Sequence, residues 1–212
     1  MKPNKKVIIF DMDGVLIDSI PFAKKYFMEN HPGVTSEMYD EIHCGNFHEE
    51  IKKYSHFVKE RTEKEREIRR QQYSKIKSKT PLFKGVRELL EKLHNESYIL
   101  VLNTNAYERN TLPILENLKI AHLFDFVAIA EISKDKVEKF KLIENKYKAK
   151  REDVLFVTDA LGDVKDADVA GVPTIAVTWG VHNGSFFENG KYPNLIKVVD
   201  TVKELENFIE KY

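Results

Sequence analysis

This chain has one cysteine, no excess of either charge and no long hydrophobic run, and each shortage excludes a class of protein. Cys44 is the single cysteine among 212 residues, so an internal disulfide is impossible and we expect an intracellular, cytoplasmic protein. The 34 basic and 34 acidic residues cancel, which gives no reason to expect nucleic acid or an anionic membrane as a partner. The first apolar run stops at Asp11, too early for a signal peptide or a membrane helix.

That first apolar run, Val7 to Phe10, ends in two carboxylates, Asp11 and Asp13, and Gly14 follows them. Consecutive Val, Ile and Phe residues are typical of a strand that is buried on both faces. Two acids at the end of such a strand repel each other unless a cation, a proton or a ligand compensates. Ligands of open α/β sheets bind at the carboxyl ends of strands, and glycine permits the turn that brings both acids to one site.

Strands and helices alternate along the rest of the chain outside one segment. The predicted strands are residues 98–102, 126–130, 154–157, 174–177 and 195–199. Apolar residues recur at helical spacing between these strands. The alternation predicts an α/β fold, a Rossmann-like parallel sheet with helices on both faces.

The exceptional segment, residues 19–80, shows helical patterns and no strand. We expect it to be a small all-helical domain inserted into an α/β core domain formed by residues 1–18 and 81–212. Ser19 is expected to cap its first helix. Basic residues outnumber acids over residues 52–79. This excess is either a solvated face or an electrostatic lid that favours an anionic substrate.

Polar side chains follow three predicted strands at the point where each ends: Asp11 and Asp13, Thr104 and Asn105, and Asp159 and Asp163. A parallel sheet would bring these clusters to one edge, where a lysine from residues 134–139 could join them. Carboxylates, a main-chain carbonyl and water make a hard oxygen site suited to Mg²⁺. Threonine and lysine could bind phosphate oxygens, while one carboxylate attacks phosphorus and another transfers protons.

The clusters resemble the motifs of the haloacid dehalogenase superfamily. The likeness is strongest to its helical-cap phosphatase branch, the group of phosphoglycolate phosphatase and β-phosphoglucomutase. Residues 11–19 resemble the first motif, residues 102–105 the second, and residues 159–173 the fourth. The resemblance implies a hydrolase with a Mg²⁺ cofactor that acts on a small phosphorylated metabolite through an aspartyl-phosphate.

The resemblance also implies a role for each matched residue. Asp11 would be the nucleophile and a metal ligand, and Asp13 the general acid/base with its main-chain carbonyl on the metal. Thr104 would bind phosphate with Asn105 beside it. Asp159 and Asp163 complete the predicted metal set, Asp159 as a direct ligand and Asp163 as the residue that holds either the metal's water shell or the lysine.

Two parts of the match stay open. Spacing from the fourth motif selects either Lys134 or Lys136 as the phosphate-binding lysine, with Lys139 as a third candidate. Gly45, Asn46 and His48 lie in the turn that best matches the substrate-facing turn of related caps, so we expect them near the leaving group.

Two other functions also remain open. One is a phosphomutase of the β-phosphoglucomutase kind, and the other is a non-catalytic module that binds a phosphorylated ligand. The sequence does not specify an oligomeric state or a particular phosphomonoester.

Overall fold

A six-stranded, all-parallel sheet forms the centre of the molecule. The computed structural model describes residues 6–187 and 190–212, so the first five residues of the predicted core domain lie outside the described range. The strands are β1 (Val7–Phe10), β2 (Ile99–Asn103), β3 (Phe126–Ala128), β4 (Val154–Thr158), β5 (Thr174–Val177) and β6 (Leu195–Val199). Their order is β3-β2-β1-β4-β5-β6, and each neighbouring pair is parallel. The predicted α/β fold is confirmed.

The α-helices connect these strands or lie in the segment between β1 and β2. In chain order they are α1 (Ile20–Asn30), α2 (Ser36–Ile42), α3 (Phe47–Glu50), α4 (Glu63–Lys77), α5 (Val86–Asn95), α6 (Leu112–Asn117), α7 (Lys136–Tyr147), α8 (Leu161–Ala170) and α9 (Val202–Ile209). Short 3₁₀ turns occur at residues 51–57, 108–110, 121–123, 151–153 and 184–187. None of the helices within the described ranges has the length and apolar content needed to cross a bilayer.

Alternate residues of the central strands bury their side chains in two different layers. Ile8 and Phe10 of β1 pack in the layer that includes α5, α6 and α9. Val7 and Ile9 pack in the opposite layer, with residues of α7 and α8. Both faces of the strand are therefore apolar, which explains the uninterrupted run of Val, Ile and Phe.

The helices between β1 and β2, which we call the helical insert (residues 20–77), have a smaller apolar cluster of their own. Phe27, Val34, Tyr39 and Ile42 are buried in it. The long helix α4 begins with a capping box in which the Thr62 hydroxyl and the Glu65 carboxylate each satisfy a main-chain N–H of the other residue. Packing and capping together explain how so polar a segment forms ordered helices.

The chain path places a crevice at the centre of the sheet. The chain runs from β1 through β2 to β3 on one side, and β4, β5 and β6 extend the sheet on the other side. The direction of strand order reverses between β1 and β4. In sheets of this kind, ligands bind outside the carboxyl ends of the strands at that reversal.

Candidate active site

The turn after β1 brings two carboxylates to the carboxyl edge of the sheet. Asp11 still hydrogen-bonds through its main-chain N–H to Val157 O at 2.9 Å, so it continues the β1–β4 ladder. Gly14 then turns the chain with a φ of +74°, and a Cβ at this position would lie 1.9 Å from Asp159 Oδ2. A Cβ at Gly180 would lie 2.1 Å from the same oxygen. The Asp159 carboxylate therefore fits only because both neighbouring positions lack a side chain.

Asp11 is buried beside one cation and several other acids. Lys136 Nζ lies 3.2 Å from Asp11 Oδ1. Burial, supported by the charges of Asp163 and Asp13 and opposed by Lys136, raises the pKa of Asp11 to about 7. The ionised form of Asp11 is therefore disfavoured, and a further positive charge in the site would favour it.

The structure separates the lysine candidates that the sequence left open. Lys136 is the first residue of α7, is 2% exposed and donates to Asp163 Oδ2 at 2.5 Å as well as facing Asp11. Lys134 precedes the helix cap Asp135, so its side chain leaves in another direction, and its Nζ lies 5.7 Å from the centre of the Tyr107 ring. Lys136 is therefore the candidate that reaches the carboxylates.

Lys139, one turn further along α7, holds the loop after β2. Its Nζ donates to Thr104 O and to Asn105 Oδ1, both at 2.8 Å. Burial and the neighbouring charge of Lys136 lower the pKa of Lys139 to about 7. The Thr104 hydroxyl accepts from Ala106 N at 3.1 Å, which leaves its own proton free to be donated. Thr104 and Asn105 both line the same cavity as Asp11.

Asp13 has a partner on each carboxylate oxygen. The Ser19 hydroxyl donates to Oδ1 at 2.5 Å, and Lys77 Nζ donates to Oδ2 at 2.7 Å. Ser19 is the N-cap residue of α1, as predicted, but its side chain makes no capping hydrogen bond to the helix. Its hydroxyl donates to the Asp13 carboxylate instead, and hydrogen bonds to an ionised acceptor are stronger than those to a neutral one.

Two further acids follow β4 and differ in their partners. Asp159 is buried and accepts from Val181 N at 2.7 Å. Burial and the charge of Asp11 raise the pKa of Asp159 well above its usual range. Asp163 Oδ2 accepts from Lys136 and, at 2.8 Å, from the Thr158 hydroxyl. Of the two roles left open for Asp163, the geometry matches the one in which it holds the lysine.

The donor set fits a divalent cation of the magnesium type. After burial, the charge of Asp11 is the main cause that raises the pKa of Asp159, because two buried anions repel each other. Within residues 6–187 and 190–212, no three His, Cys, Asp or Glu side chains form a metal-ligand group. Magnesium commonly binds proteins through one or two carboxylates and completes its octahedron with waters and carbonyl oxygens. Asp11 and Asp159 supply two carboxylates of this kind to the same cavity.

The catalytic cavity has a volume of about 250 Å³ and lies between the sheet edge and the helical insert. Gly45 and His48 are among its lining residues, together with Tyr39, His43 and Tyr73. Asn46 is not a lining residue, because its side chain caps α3 through His48 N and donates to Lys134 O at 3.1 Å. Of the three insert residues expected near the leaving group, Gly45 and His48 thus face the cavity.

The insert also contacts the core at a glycine. Gly162 N donates to His43 O at 2.8 Å, and a Cβ at Gly162 would lie 2.2 Å from Gly45 O. His182 strengthens the same contact, because its ring lies 2.9 Å from both Asp40 O and Leu161 N. These contacts depend on how the insert sits on the core, and sequence reasoning did not find them.

Sequence reasoning also missed Lys77, Tyr39 and Tyr73 as cavity residues. Lys77 is one of several lysines near the end of α4, and nothing in its sequence context separates it from Lys75 or Lys79. Tyr39 and Tyr73 have the spacing of packing residues. Only the position of α4 over the sheet edge brings these side chains to the carboxylates.

Comparison with known proteins gives a consistent family. The family model described as haloacid dehalogenase-like hydrolase matches residues 8–177, most of the chain. A phosphoglycolate phosphatase from Aliivibrio fischeri is 27% identical over 199 residues, which cover 84% of this chain and 86% of that protein. A phosphoglycolate phosphatase from Mesorhizobium japonicum is 26% identical and covers 84% of each chain.

Solved structures show the same architecture. A haloacid dehalogenase-like hydrolase from Streptococcus pneumoniae superposes with a TM-score of 0.74 at 20% identity, covering 97% of this chain and 99% of that chain. A chain from Clostridium acetobutylicum, described as a predicted phosphatase, superposes with a TM-score of 0.76 at 21% identity and covers 98% and 99%. At these identities the likeness establishes the fold.

Proposed function

This chain belongs to the haloacid dehalogenase-like hydrolase family, and from that premise we propose that it is a Mg²⁺-dependent phosphatase. It would hydrolyse a phosphomonoester through an aspartyl-phosphate on Asp11. The observation that carries the proposal is a second acid beside the first: Asp13 lines the same cavity as Asp11, and both its oxygens are held by donors. A nucleophile with a second, oriented carboxyl group beside it that can exchange protons suits phosphoryl transfer.

The proposed reaction has two displacement steps. In the first, an Asp11 carboxylate oxygen attacks phosphorus, the bond to the leaving-group oxygen breaks, and Asp13 donates a proton to that oxygen. In the second, Asp13 takes a proton from a water, the water oxygen attacks phosphorus, and the Asp11 carboxylate leaves. The two steps return both aspartates to their starting forms, so Asp13 serves as acid and then as base.

The surrounding residues would bind the phosphoryl group and its charge. Lys136 and the Thr104 hydroxyl would donate to the non-reacting oxygens, and Lys139 holds the loop that carries Thr104. A Mg²⁺ ion bound by Asp11, Asp159 and the Asp13 carbonyl would neutralise the repulsion between the anionic nucleophile and the anionic substrate. In this scheme, Asp163 keeps Lys136 in place.

The helical insert would act as a cap. We propose that residues 19–80 form a cap domain over a core of residues 1–18 and 81–212, because the insert contributes about half of the cavity wall. A cap would control when water reaches the aspartyl-phosphate that the first step forms. A cytoplasmic site of action stays a prediction from the single cysteine.

Hydrolysis of 4-nitrophenyl phosphate with and without Mg²⁺ tests the proposal, and phosphoglycolate is the first natural substrate to assay because the relatives carry its name. We expect metal-dependent turnover in the native chain, its loss in Asp11→Asn and its retention in Asp18→Asn. Asp18 is exposed and lies outside the cavity lining, so it is a matched control. Metal-independent turnover, or full activity in Asp11→Asn, would contradict the proposal. A native chain with no turnover would favour the phosphomutase or the binding module.

A further inference from the structure

A second cavity of about 560 Å³ lies inside the helical insert. Five basic side chains line it: Lys59, Arg61, Arg66, Arg69 and Arg70. Aromatic rings line the same cavity: Tyr26, Phe27, Tyr39, Phe47 and Tyr73. Within the described part of the chain no Asp or Glu is among the lining residues. A concave wall of rings and cations without acids favours an anionic ligand that also has an apolar part.

This cavity, which we call the cationic cavity, adjoins the catalytic cavity. Ala23, Tyr39, Phe47 and Tyr73 line both. The two spaces are therefore separated by side chains alone, and a leaving group that extends away from Asp11 would enter the cationic cavity between the tyrosines.

One face of α4 runs along both cavities. At about 100° of rotation per residue, the positions of Arg66, Arg69, Arg70, Tyr73 and Lys77 fall within an arc of about 100° on the helix. Lys77 is at the Asp13 end of this face, with its Nζ 5.9 Å from the Tyr73 ring centre. Tyr73 is 4.6 Å from the Tyr26 ring, measured between centres. The helix rise places Arg69 about 12 Å along the axis from Lys77.

Arg66 and Arg69 keep donors free at the far end of this face, whereas Arg70 is held by Glu63 and Glu67. Arg69 Cζ lies 4.9 Å from the Tyr26 ring centre, and Arg69 Nε is buried with no hydrogen-bond partner among the described residues. The Arg69 pair with Glu29 is 3.4 Å long and the Arg66 pair with Glu63 is 3.8 Å long, and both glutamates are largely exposed. A long pair with a solvated glutamate contributes little and is readily exchanged for a ligand anion.

We infer that the substrate is an elongated phosphomonoester with a second anionic group at the far end of its leaving group. This inference rests on the proposed phosphatase function. The phosphate lies at Asp11, the apolar middle of the leaving group lies between Tyr39 and Tyr73, and the distal anion binds Arg66 and Arg69. A two-carbon leaving group is too short for this arrangement, because along the α4 axis Arg69 lies about 12 Å and Arg66 about 16 Å from Lys77.

A series of ω-carboxyalkyl phosphates, in which the distance between phosphate and carboxylate increases, tests the inference. The series begins at phosphoglycolate and lengthens until the carboxylate extends about 12 Å beyond the phosphate. The methyl ester of each compound provides an uncharged match. We expect kcat/KM in Mg²⁺ to rise with length, and the longest acid to exceed its ester by about tenfold, the effect of one charge-assisted hydrogen bond. Equal values for acid and ester, or a maximum at phosphoglycolate, would overturn the inference while leaving the phosphatase proposal intact.

Substitutions on the two opposite faces of α4 show which residues cause the preference for the acid over the ester. Arg66→Gln and Arg69→Gln should each reduce the acid-to-ester ratio toward one, whereas Lys64→Gln should preserve it. Lys64 is an exposed cation on the opposite face of the same helix. Arg66 has only the 3.8 Å surface pair to lose, so its variant is expected to fold, and thermal unfolding checks this. An unchanged ratio in folded Arg66→Gln and Arg69→Gln would contradict the assignment.

A binding measurement tests this inference independently of catalysis. Titration calorimetry of Asp11→Asn with the longest acid and its ester measures recognition without turnover, so a catalytically inactive chain would still give an answer. Tighter binding of the acid supports the inference. If the long acids changed 4-nitrophenyl phosphate turnover without competing with it, the cationic cavity would be a separate effector site and the inference would fail.

Discussion

Lys77 of the helical insert donates to the carboxylate of Asp13 in the core at 2.7 Å, across a sequence separation of 64 residues. The Lys77 side chain is only 4% exposed. Burial works against the charged form of Lys77, but the Asp13 carboxylate outweighs burial, so the pKa of Lys77 is raised. The contact links the position of the insert directly to the proposed proton-transfer group.

Replacing Lys77 by methionine should lower kcat about 10- to 100-fold. The change removes one of the two donors that orient Asp13 and also the main polar anchor of the insert at this point. The free energy of unfolding should fall by about 1–2 kcal/mol, less than for a fully buried pair, because Asp13 retains access to water. Steady-state kinetics and thermal unfolding measure the two effects.

Lys75→Met is the matched control for that substitution. Lys75 is exposed and lies two residues earlier on the opposite face of α4. Its kcat should stay within about twofold of the native value. Similar losses in both variants would show that the helix, and not the Lys77–Asp13 pair, is responsible.

The two lysines near the start of α7 should differ sharply. Lys136→Met removes the cation that lies between Asp11 and Asp163, and we expect a loss of at least about 100-fold in kcat/KM. Lys134→Met removes an exposed side chain next to Tyr107 and should change kcat/KM less than about threefold. A larger loss in the Lys134 variant would reverse the assignment of the phosphate-binding lysine.

Two glycines on either side of the insert–core contact should also differ. A Cβ at Gly162 would meet the Gly45 carbonyl oxygen at 2.2 Å, and this main-chain atom cannot easily move away from the added Cβ. A Cβ at Gly45 would meet only the Glu50 side chain, at 2.9 Å, which can rotate. We therefore expect Gly162→Ala to reduce kcat/KM about tenfold or more by keeping the insert away from the core. Gly45→Ala should be much milder, and equal kinetics would argue against a closed working state.

Magnesium binding should strengthen as pH rises toward 7. The pKa of Asp11 is about 7 without metal, so protons compete with the cation for this ligand below that pH. The metal-free folded chain binds this proton more tightly than the unfolded chain, so the contribution of Asp11 to stability should fall as pH rises from about 4 to 7. Thermal unfolding with and without Mg²⁺ at pH 5, 6, 7 and 8 measures both trends.

The Asp11→Asn variant is the control for this pH dependence, because an amide does not titrate there. We expect the increase in unfolding temperature caused by Mg²⁺ to grow between pH 5 and 7 in the native chain and to be small and flat in the variant. A metal effect that is independent of pH in the native chain would contradict the assignment of Asp11 as a ligand.

The strand-end acids were predictable from sequence, whereas their partners on the insert were not. Asp11 and Asp159 follow uninterrupted apolar runs, and the parallel sheet brings them together whatever the remaining packing. The sequence limited the phosphate-binding lysine only to Lys134, Lys136 or Lys139, because the direction of each side chain depends on where α7 begins. The Ser19 side chain was expected to cap α1, but its hydroxyl donates to the Asp13 carboxylate instead.

The cationic cavity itself could not be predicted from the sequence. The basic excess of residues 52–79 was compatible with a solvated face or with an electrostatic lid, since the arginines alternate with glutamates along α4. The orientation of α4 over Tyr26 and Tyr39, which no local pattern encodes, places these cations along one cavity.

The most direct measurement of the central claim is the site of phosphorylation during turnover. The native chain is mixed with substrate and Mg²⁺, quenched in acid within the first turnover and digested with pepsin in acid, where the acyl phosphate lasts longer, for mass spectrometry. The account predicts a phosphoryl group on Asp11 and none in Asp11→Asn. A phosphoryl group on another residue, or turnover with no enzyme-bound phosphate in the native chain, would contradict it.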